Sequence, residues 1–321
     1  IEVSATTVAI DFTESQTATS IYSREIDFLP RGRDFTDVVT FAAGAVYDNQ
    51  GGGIMIDGAS GLENRFVIDG VNTTDPQIGD SSVAMRAEFM EEVQVKSAGY
   101  QAEYGGAVGG VINAVTRSGG NVYHGSLLVE VENSDWNGSA RPQYEIPPCT
   151  RCEGEAGDPE ELVTYDKDDE LRYDPGFSLG GPIVRDRLWF FAAYQPGFRS
   201  TDRVVDWVSY APDTYHQDYR VDYGVANLTA NLGTRWLFKA GLSVSPYTLE
   251  GYLPDRDGRL DLPDQSDWAP LGTEGEGETY HLSGDWIATD NLVFSARGGS
   301  YRTNVVDTGI PLFDLIHNYS T

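Results

Sequence analysis

The segment Tyr104-Gly105-Gly106-Ala107-Val108-Gly109-Gly110-Val111-Ile112-Asn113-Ala114-Val115-Thr116-Arg117 decides how the first third of the chain folds. Its four glycines permit backbone geometries that other residues cannot adopt, and they let chain segments approach one another closely. The apolar run that follows them predicts a short β-strand. We therefore expect a small domain in which backbone packs tightly against backbone.

The residues that precede this segment contain further short apolar runs separated by glycine. Val38, Val39 and Phe41 predict the inward face of a short amphipathic helix that ends near Gly44. Short β-like runs follow at Gly53–Gly58, Arg65–Val71 and Glu91–Lys96. Together these segments predict a small α+β domain with a compact mixed sheet.

Beyond Gly119-Gly120 the pattern changes to longer segments in which apolar residues alternate with period two. The alternating segments are Gly125–Glu132, Asp222–Leu232, Arg235–Val244, His281–Trp286 and Asn291–Tyr301. Strands of about ten residues with one apolar face and aromatic ends are typical of a membrane-spanning β-barrel, although a soluble β-sandwich also alternates. The polar second faces favour the barrel. So do the connectors, which are tight at 233–234 and 290–291 but long around 133–170 and 247–278.

The charge of the chain excludes one class of partner. It has 50 Asp plus Glu against 22 Lys plus Arg and a formal net charge of −28. Nucleic-acid binding requires a positive field, so we expect no nucleic acid among its partners. No apolar run reaches the roughly 18 residues of a membrane helix. Most of the acidic excess lies in the long connectors, which we expect to face solvent.

Two local patterns in the long connectors have competing interpretations. Cys149 and Cys152 form a C-x-x-C pair, which a redox motif, a zinc site or a local disulfide would explain; the Pro-Pro before it and the single, scattered histidines favour the disulfide. Asp255, Asp257 and Asp261 are weak calcium candidates, because they lack the ligand spacing of an EF-hand. A solvated acidic loop is the favoured interpretation.

Four segments, in their order and spacing, resemble the plug of a TonB-dependent outer-membrane receptor. They are Phe35–Val39, Asn64–Pro76, Met90–Val95 and Glu103–Arg117. Three further segments resemble the first barrel strands of the Oar-like branch of that family: Tyr123–Leu127, Phe177–Ile183 and Asp186–Phe191. One departure is Asp57, at a position where many members have arginine.

The resemblance implies a transmembrane antiparallel β-barrel, partial in this chain, with an N-terminal α+β plug domain inside the lumen. Residues 1–120 would form the plug, and residues 121–321 would supply about eight barrel strands with long acidic extracellular loops. A barrel of about 22 strands is implied. We therefore expect the remaining strands beyond Thr321, and any TonB box upstream of Ile1.

The same resemblance singles out a set of plug-motif residues: Arg65, Asp69, Gly70, Tyr104, Gly105, Gly106, Gly109, Gly110 and Arg117. Asp69-Gly70 is a turn signal, so a turn carboxylate is favoured over an ion-pair role for Asp69. Arg65 and Arg117 either pair with wall carboxylates such as Glu130 and Glu132 or are solvated in the lumen.

The implied function is active uptake across the cell outer membrane, with ligand bound by plug loops and barrel loops. Candidate ligand contacts are Asp75, Gln77, Asp80 and Arg86. The implied partners are outer-membrane lipid and lipopolysaccharide, a TonB-type energy-coupling protein, and a surface lipoprotein or other outer-membrane subunits. The alternative is an outer-membrane structural or adhesion protein whose acidic loops bridge cations to lipopolysaccharide. No nucleophile elbow or metal-ligand cluster points to an enzyme, and no cofactor is expected beyond candidate calcium.

Overall fold

The computed structural model describes residues 17–48, 52–75, 79–100, 104–139, 141–145, 161–205, 212–254, 271–289 and 291–309. These residues form an N-terminal domain, which ends with the seventh strand, and a larger antiparallel sheet, here called the wall sheet. In the described part of the chain, no helix has the length and apolar character needed to cross a membrane.

The N-terminal domain is built on a mixed five-stranded sheet. Its elements are β1 (Thr17–Tyr22), α1 (Ser23–Ile26), α2 (Phe35–Val39), β2 (Ala45–Tyr47), β3 (Ile54–Ile56), β4 (Arg65–Ile68), β5 (Val71–Asn72), β6 (Met90–Ala98) and β7 (Val111–Thr116). The strand order is β1-β6-β7-β4-β5, and β4 pairs with β7 in parallel while the other pairs are antiparallel. Strands β2 and β3 form a separate pair. The predicted α+β architecture is confirmed.

Helix α2 forms where the amphipathic pattern predicts it. The Asp34 backbone N–H donates to Oδ2 of Asp37 at 3.0 Å, which satisfies one donor at the start of the helix. Val38 and Val39 are buried in the domain core as predicted. The inward position predicted for Phe41 is wrong: the helix ends at Val39, and Phe41 lies in the following turn with 40% of its surface exposed.

The glycine-rich segment makes the expected close approach to its neighbours. A Cβ on Gly110 would lie 2.3 Å from Cδ1 and 2.9 Å from Cγ2 of Ile56, so a larger residue just before β7 would have to displace this side chain of β3. The Gly110 N–H donates to Oδ1 of the buried Asn64 at 2.9 Å. Because these contacts are made by backbone, they fix β7 against the preceding strands.

The wall sheet contains eight strands, and every alternating segment of the sequence coincides with part of one of them to within one residue at its ends. Its strands are β8 (His124–Asn133), β11 (Asp169–Val184), β12 (Leu188–Val205), β13 (Asp213–Asn231), β14 (Trp236–Val244), β15 (Tyr247–Glu250), β16 (Gly272–Thr289) and β17 (Leu292–Thr308). A separate short pair consists of β9 (Gln143–Glu145) and β10 (Glu161–Val163). Strands β14 and β15 both lie between β13 and β16; they are separated at Pro246, which cannot donate a backbone hydrogen bond.

Neighbouring wall strands run antiparallel, so their connections alternate between two rims. The connections at 185–187, 232–235 and 290–291 are short and share one rim. Those at 134–168, 206–212 and 251–271 are longer and share the other rim. This asymmetry was predicted, and it is the pattern of an outer-membrane barrel.

The outer face of the wall sheet is apolar. Leu127, Leu228 and Leu282 are among the large side chains exposed on it. Near the short-turn rim, the Trp286 ring stacks on Trp236 at 5.2 Å and on Phe294 at 5.3 Å between ring centroids. Aromatic rings in this position mark the edge of a membrane-facing band.

The inner face of the wall sheet packs on the N-terminal domain. Phe191, Ala193, Val221, Tyr223 and Val225 of the wall belong to the same buried hydrophobic cluster as the core of that domain. The two parts therefore share one core, and any site between them is positioned by both.

Candidate functional site

A buried ion pair joins the N-terminal domain to the wall. The side chains of Arg86 and Asp174 are both 0% exposed, and Nη2 of Arg86 lies 2.7 Å from Oδ2 of Asp174. Nη1 of Arg86 lies 3.3 Å from Oδ1 of Asp34, and its guanidinium sits 4.2 Å from the centroid of the Tyr223 ring. Arg86 is thus held by two carboxylates and a cation–π contact.

Local structure explains how this pair is accommodated. Asp34 and Arg86 face each other in an isolated antiparallel bridge, which fixes both beside the first turn of α2. On the wall, a Cβ on Gly197 would lie 3.1 Å from both Nη2 of Arg86 and Oδ1 of Asp174. Glycine at this position leaves room for the two buried side chains.

The crowded surroundings of Asp34 also shift its pKa. Removal of water from around its carboxylate raises the pKa of Asp34, and the neighbouring Arg86 opposes that shift. The ionised form of Asp34 is therefore less favourable in the folded protein than in water.

A second arginine of the N-terminal domain also reaches the wall carboxylates. Arg33 bonds to Asp174, and its guanidinium lies 3.5 Å from Glu132 and 3.9 Å from Glu130. The wall carboxylates considered as partners of Arg65 and Arg117 therefore lie beside Arg33 instead.

Of the two interpretations of Arg65 and Arg117, pairing with those carboxylates is wrong. Arg65 donates to the carbonyl oxygen of Gly105. Arg117 donates to the carbonyl oxygen of Met90 at 3.2 Å and lies 3.5 Å from Asp27. Both arginines are used within their own domain. Residue spacing alone does not indicate which arginine the domain presents to the wall.

A third contact lies near the short-turn rim, around Asp69. Asp69 has a positive φ of 48°, and its carboxylate accepts from the backbone N–H of Thr116 at 3.0 Å and from its hydroxyl at 2.7 Å. Asn227 of the wall donates to the Thr116 hydroxyl and to the Arg117 carbonyl, both at 2.7 Å. His281 Nδ1 lies 3.7 Å from the Asp69 carboxylate. Asp69 therefore stands in a turn and also contributes to the docking of the domain.

Of the four candidate ligand contacts, the structure describes Asp75, Asp80 and Arg86. The Asp75 N–H donates to the Asp80 carbonyl at 2.8 Å, so these two residues lie close together. Burial raises the pKa of Asp80, and a hydrogen bond from the Ser81 N–H opposes this shift. Arg86 is not available to a ligand here, so that prediction is wrong: its side chain is buried between the two parts.

Several predicted residues lie outside the described residues. They are Gln77, Cys149, Cys152, Asp255, Asp257 and Asp261. The disulfide and the calcium candidates therefore stay predictions. Within the described ranges, no group of three or more His, Cys, Asp or Glu side chains is arranged to hold a metal ion.

A cleft of about 350 Å³ opens between Asp34 and the wall, toward the long-connector rim. Arg172, Arg199, Tyr219 and Tyr223 line its wall side. Sequence reasoning missed these residues and Asp174. Each is a polar or aromatic residue in a strand, and only the strand register shows that they lie side by side.

Each of the two parts of the chain matches a known protein family. Residues 12–111 match the TonB-dependent receptor plug domain, and residues 115–217 match an outer membrane β-barrel domain. The TonB-dependent transporter Oar of Myxococcus xanthus is 37% identical over 166 residues, which is 52% of this chain and 14% of that protein. These similarities indicate an outer-membrane location.

Solved structures of low sequence identity show the same fold. The outer membrane transporter YddB of Escherichia coli has a TM-score of 0.61 at 17% identity, covering 88% of this chain and 38% of that one. The ferric enterobactin receptor PfeA of Pseudomonas aeruginosa, in complex with enterobactin, has a TM-score of 0.59 at 16% identity, covering 90% and 41%. The chain thus spans well under half the length of these relatives, which are transporters and receptors rather than enzymes.

Proposed function

We propose that this chain, which belongs to the TonB-dependent receptors of the outer membrane, is part of a transporter that takes up a substrate into the periplasm. In this proposal residues 1–120 are the plug and residues 121–321 are the first part of the barrel. The substrate is a peptide, a glycan or a metal chelate. A TonB-type protein of the inner membrane supplies the energy by pulling on the segment before β1.

The observation that carries the proposal is how the plug is held against the wall. Beside the shared apolar core, part of the contact is polar: the Arg86–Asp174 pair, the Arg33 contacts and the Asn227–Thr116 hydrogen bond. Polar contacts of this kind can be replaced by contacts with water when the plug moves, at a smaller cost than separating two apolar faces. Such an interface suits a plug that is held at rest and displaced during transport.

The position of β1 also fits a pulling mechanism. It is the edge strand of the plug sheet and pairs with β6 over six residues. An edge strand can be separated from its neighbour one hydrogen bond at a time. A force on Thr17 would therefore act first on the β1–β6 pair and then on the sheet behind it.

Depletion of compounds from the growth medium tests the proposal. The source strain, a strain that lacks this gene and a strain that lacks its TonB-type protein are grown in the same medium, which is then profiled by mass spectrometry. We expect a set of compounds that only the first strain depletes. If loss of the TonB-type protein leaves their depletion unchanged, the proposal is contradicted. If loss of this gene leaves the depletion of compounds unchanged, an adhesive or structural role gains support instead.

A further inference from the structure

Two arginines face each other across neighbouring wall strands, on the side of the plug. Arg172 of β11 is the direct cross-strand partner of Arg199 of β12, and Arg199 is in turn opposite Tyr219 of β13. The Arg199 guanidinium lies 5.0 Å from the centroid of the Tyr219 ring. Tyr219 packs against the core shared with the plug, which places this row on the lumen side. Like charges directly opposite one another destabilise a sheet unless something of opposite charge lies between them.

Three other arginines near this pair have carboxylate partners. Arg203 holds Asp168 through two nitrogens, at 3.0 and 2.8 Å. Arg33 and Arg86 share Asp174, as described above. The arginines around the cleft are therefore matched by carboxylates of the protein itself.

The Arg172–Arg199 pair departs from that rule. Within the part of the chain that the structure describes, the one ion pair of Arg172 is with Asp174, at 3.4 Å, and that carboxylate already serves two other guanidinium groups. Its cross-strand partner on β8, Glu132, lies 3.5 Å from the guanidinium of Arg33. Among the described residues, Arg199 makes no ion pair within 4.0 Å. The second carboxylate two residues from Arg172 on β11 is Glu170, which accepts a hydrogen bond from the Thr201 hydroxyl at 3.3 Å. Across the cleft, Asp34 is bonded to Arg86.

The pair opens onto space rather than onto packed side chains. Arg172, Arg199, Tyr219 and Tyr223 line the cleft of about 350 Å³ between the plug and the wall. A cleft of this size accepts a small organic group. Two guanidinium groups offer paired N–H donors to an oxyanion, and the tyrosine rings offer flat apolar faces.

We propose that the Arg172–Arg199 pair binds an oxyanion of the transported ligand, a carboxylate or a phosphate, while Tyr219 packs against a planar group that carries it. This inference rests on the proposed uptake function only where it treats the ligand as cargo. The binding site itself does not depend on transport. The anion removes the repulsion between the two arginines, so the site gains stability only when occupied. The substrate class is accordingly an organic anion with a flat apolar part.

Binding of small probes to the full-length purified receptor tests the site. The probes are 4-hydroxybenzoate, phenyl phosphate and the uncharged 4-hydroxybenzamide, measured by saturation-transfer NMR in detergent. We expect one or both anions to bind and the amide to bind at least tenfold more weakly. The difference in affinity between 4-hydroxybenzoate and phenyl phosphate identifies the preferred oxyanion. If neither anion binds, or if the amide binds equally well, the proposal is overturned.

Matched substitutions localise the binding. Arg199→Gln and Arg172→Gln are expected to weaken binding of the anions at least tenfold and to leave amide binding unchanged. The control is Arg220→Gln, which removes an exposed arginine that pairs with Asp222 beside the same strands. Equal loss in the control, or no loss in the Arg199 variant, would contradict the assignment.

Thermal unfolding separates a binding role from a structural one. We expect Arg199→Gln to unfold at the same temperature as the unchanged receptor or higher, because it relieves repulsion. The preferred anion should raise the unfolding temperature of the unchanged receptor but not that of the variant. A variant that unfolds earlier and still responds to the anion would show that Arg199 is structural. The outcome of these binding experiments does not depend on the outcome of the depletion experiment, so failure of the binding site and failure of the uptake function can be distinguished.

Discussion

At the scale of single residues, Asp174 is the point where the plug and the wall are most tightly joined. Its fully buried carboxylate lies within reach of Arg33, Arg86 and Arg172. A charge that loses its partner while it stays buried is far more costly than an exposed one, because water does not reach it as long as the plug is docked. Asp174 should therefore contribute more to plug docking than any carboxylate of the connectors.

Removing Asp174 tests this. Asp174→Ala leaves Arg86 buried without its closest carboxylate, and we expect it to destabilise the docked plug by about 3–5 kcal/mol. Hydrogen exchange of plug amides in the full-length receptor measures the effect. The control is Asp135→Ala, which removes an exposed carboxylate. If the two variants exchange alike, the pair does not hold the plug.

The half-buried Asp34 predicts a dependence on pH. Because burial raises its pKa above the ordinary value of 3.8, the folded protein retains the proton over a range in which the unfolded chain loses it. The stabilisation from this group is present below pH 3.8 and is lost as the pH rises through the raised value.

The Asp34→Asn variant has no ionisable group at this position, so it does not lose this stabilisation as the pH rises. We expect the unfolding free energy of the unchanged receptor to fall relative to that of Asp34→Asn as the pH rises from 3.8 toward neutrality. Chemical denaturation of both proteins over that pH range measures the difference. A difference that stays constant, or that moves the other way, would show that the pKa of Asp34 is not raised.

At the scale of elements, period-two alternation located five of the eight wall strands, and glycine spacing located the close contacts of the plug. Alternation could not give the strand ends, because β13 continues for 19 residues where about ten were expected. It also could not show which polar side chains meet. Asp174 and Arg172 face the lumen because of strand register, and Arg33 and Arg86 meet them because of how the whole plug sits.

The contact between β7 and β3 yields a prediction at this scale. Gly110→Ala would place a methyl group 2.3 Å from Cδ1 of Ile56, so we expect a loss of about 1–3 kcal/mol in plug stability. Gly120→Ala is the matched control, since a Cβ at that position has no neighbour within 4 Å. Urea denaturation of the full-length variants measures both. Equal stability of the two would contradict the close approach.

At the scale of the whole molecule, the charge and the apolar surface are divided between different regions. Exposed leucines and stacked tryptophans lie on the outer face of the wall, whereas arginine–carboxylate contacts lie on its inner face against the plug. The sequence resemblance anticipated this division of plug and barrel. It did not anticipate which residues dock the two, because one-dimensional spacing carries no information on how separate domains meet.

The central claim is that the plug must leave its contacts with the wall for uptake to occur. A crosslink between plug and wall tests it most directly. Thr116→Cys and Asn227→Cys replace side chains that touch at 2.7 Å, and Ser126→Cys with Ser178→Cys forms the control pair within the wall, where the hydroxyl groups lie 2.8 Å apart. Both pairs are placed in a Cys149→Ser, Cys152→Ser background and joined in cells by a short thiol crosslinker.

The measurement is depletion of the receptor-dependent compounds before and after crosslinking. The account predicts that the plug–wall crosslink abolishes depletion, whereas the wall–wall crosslink leaves it unchanged. Full depletion with the plug joined to the wall would contradict the account.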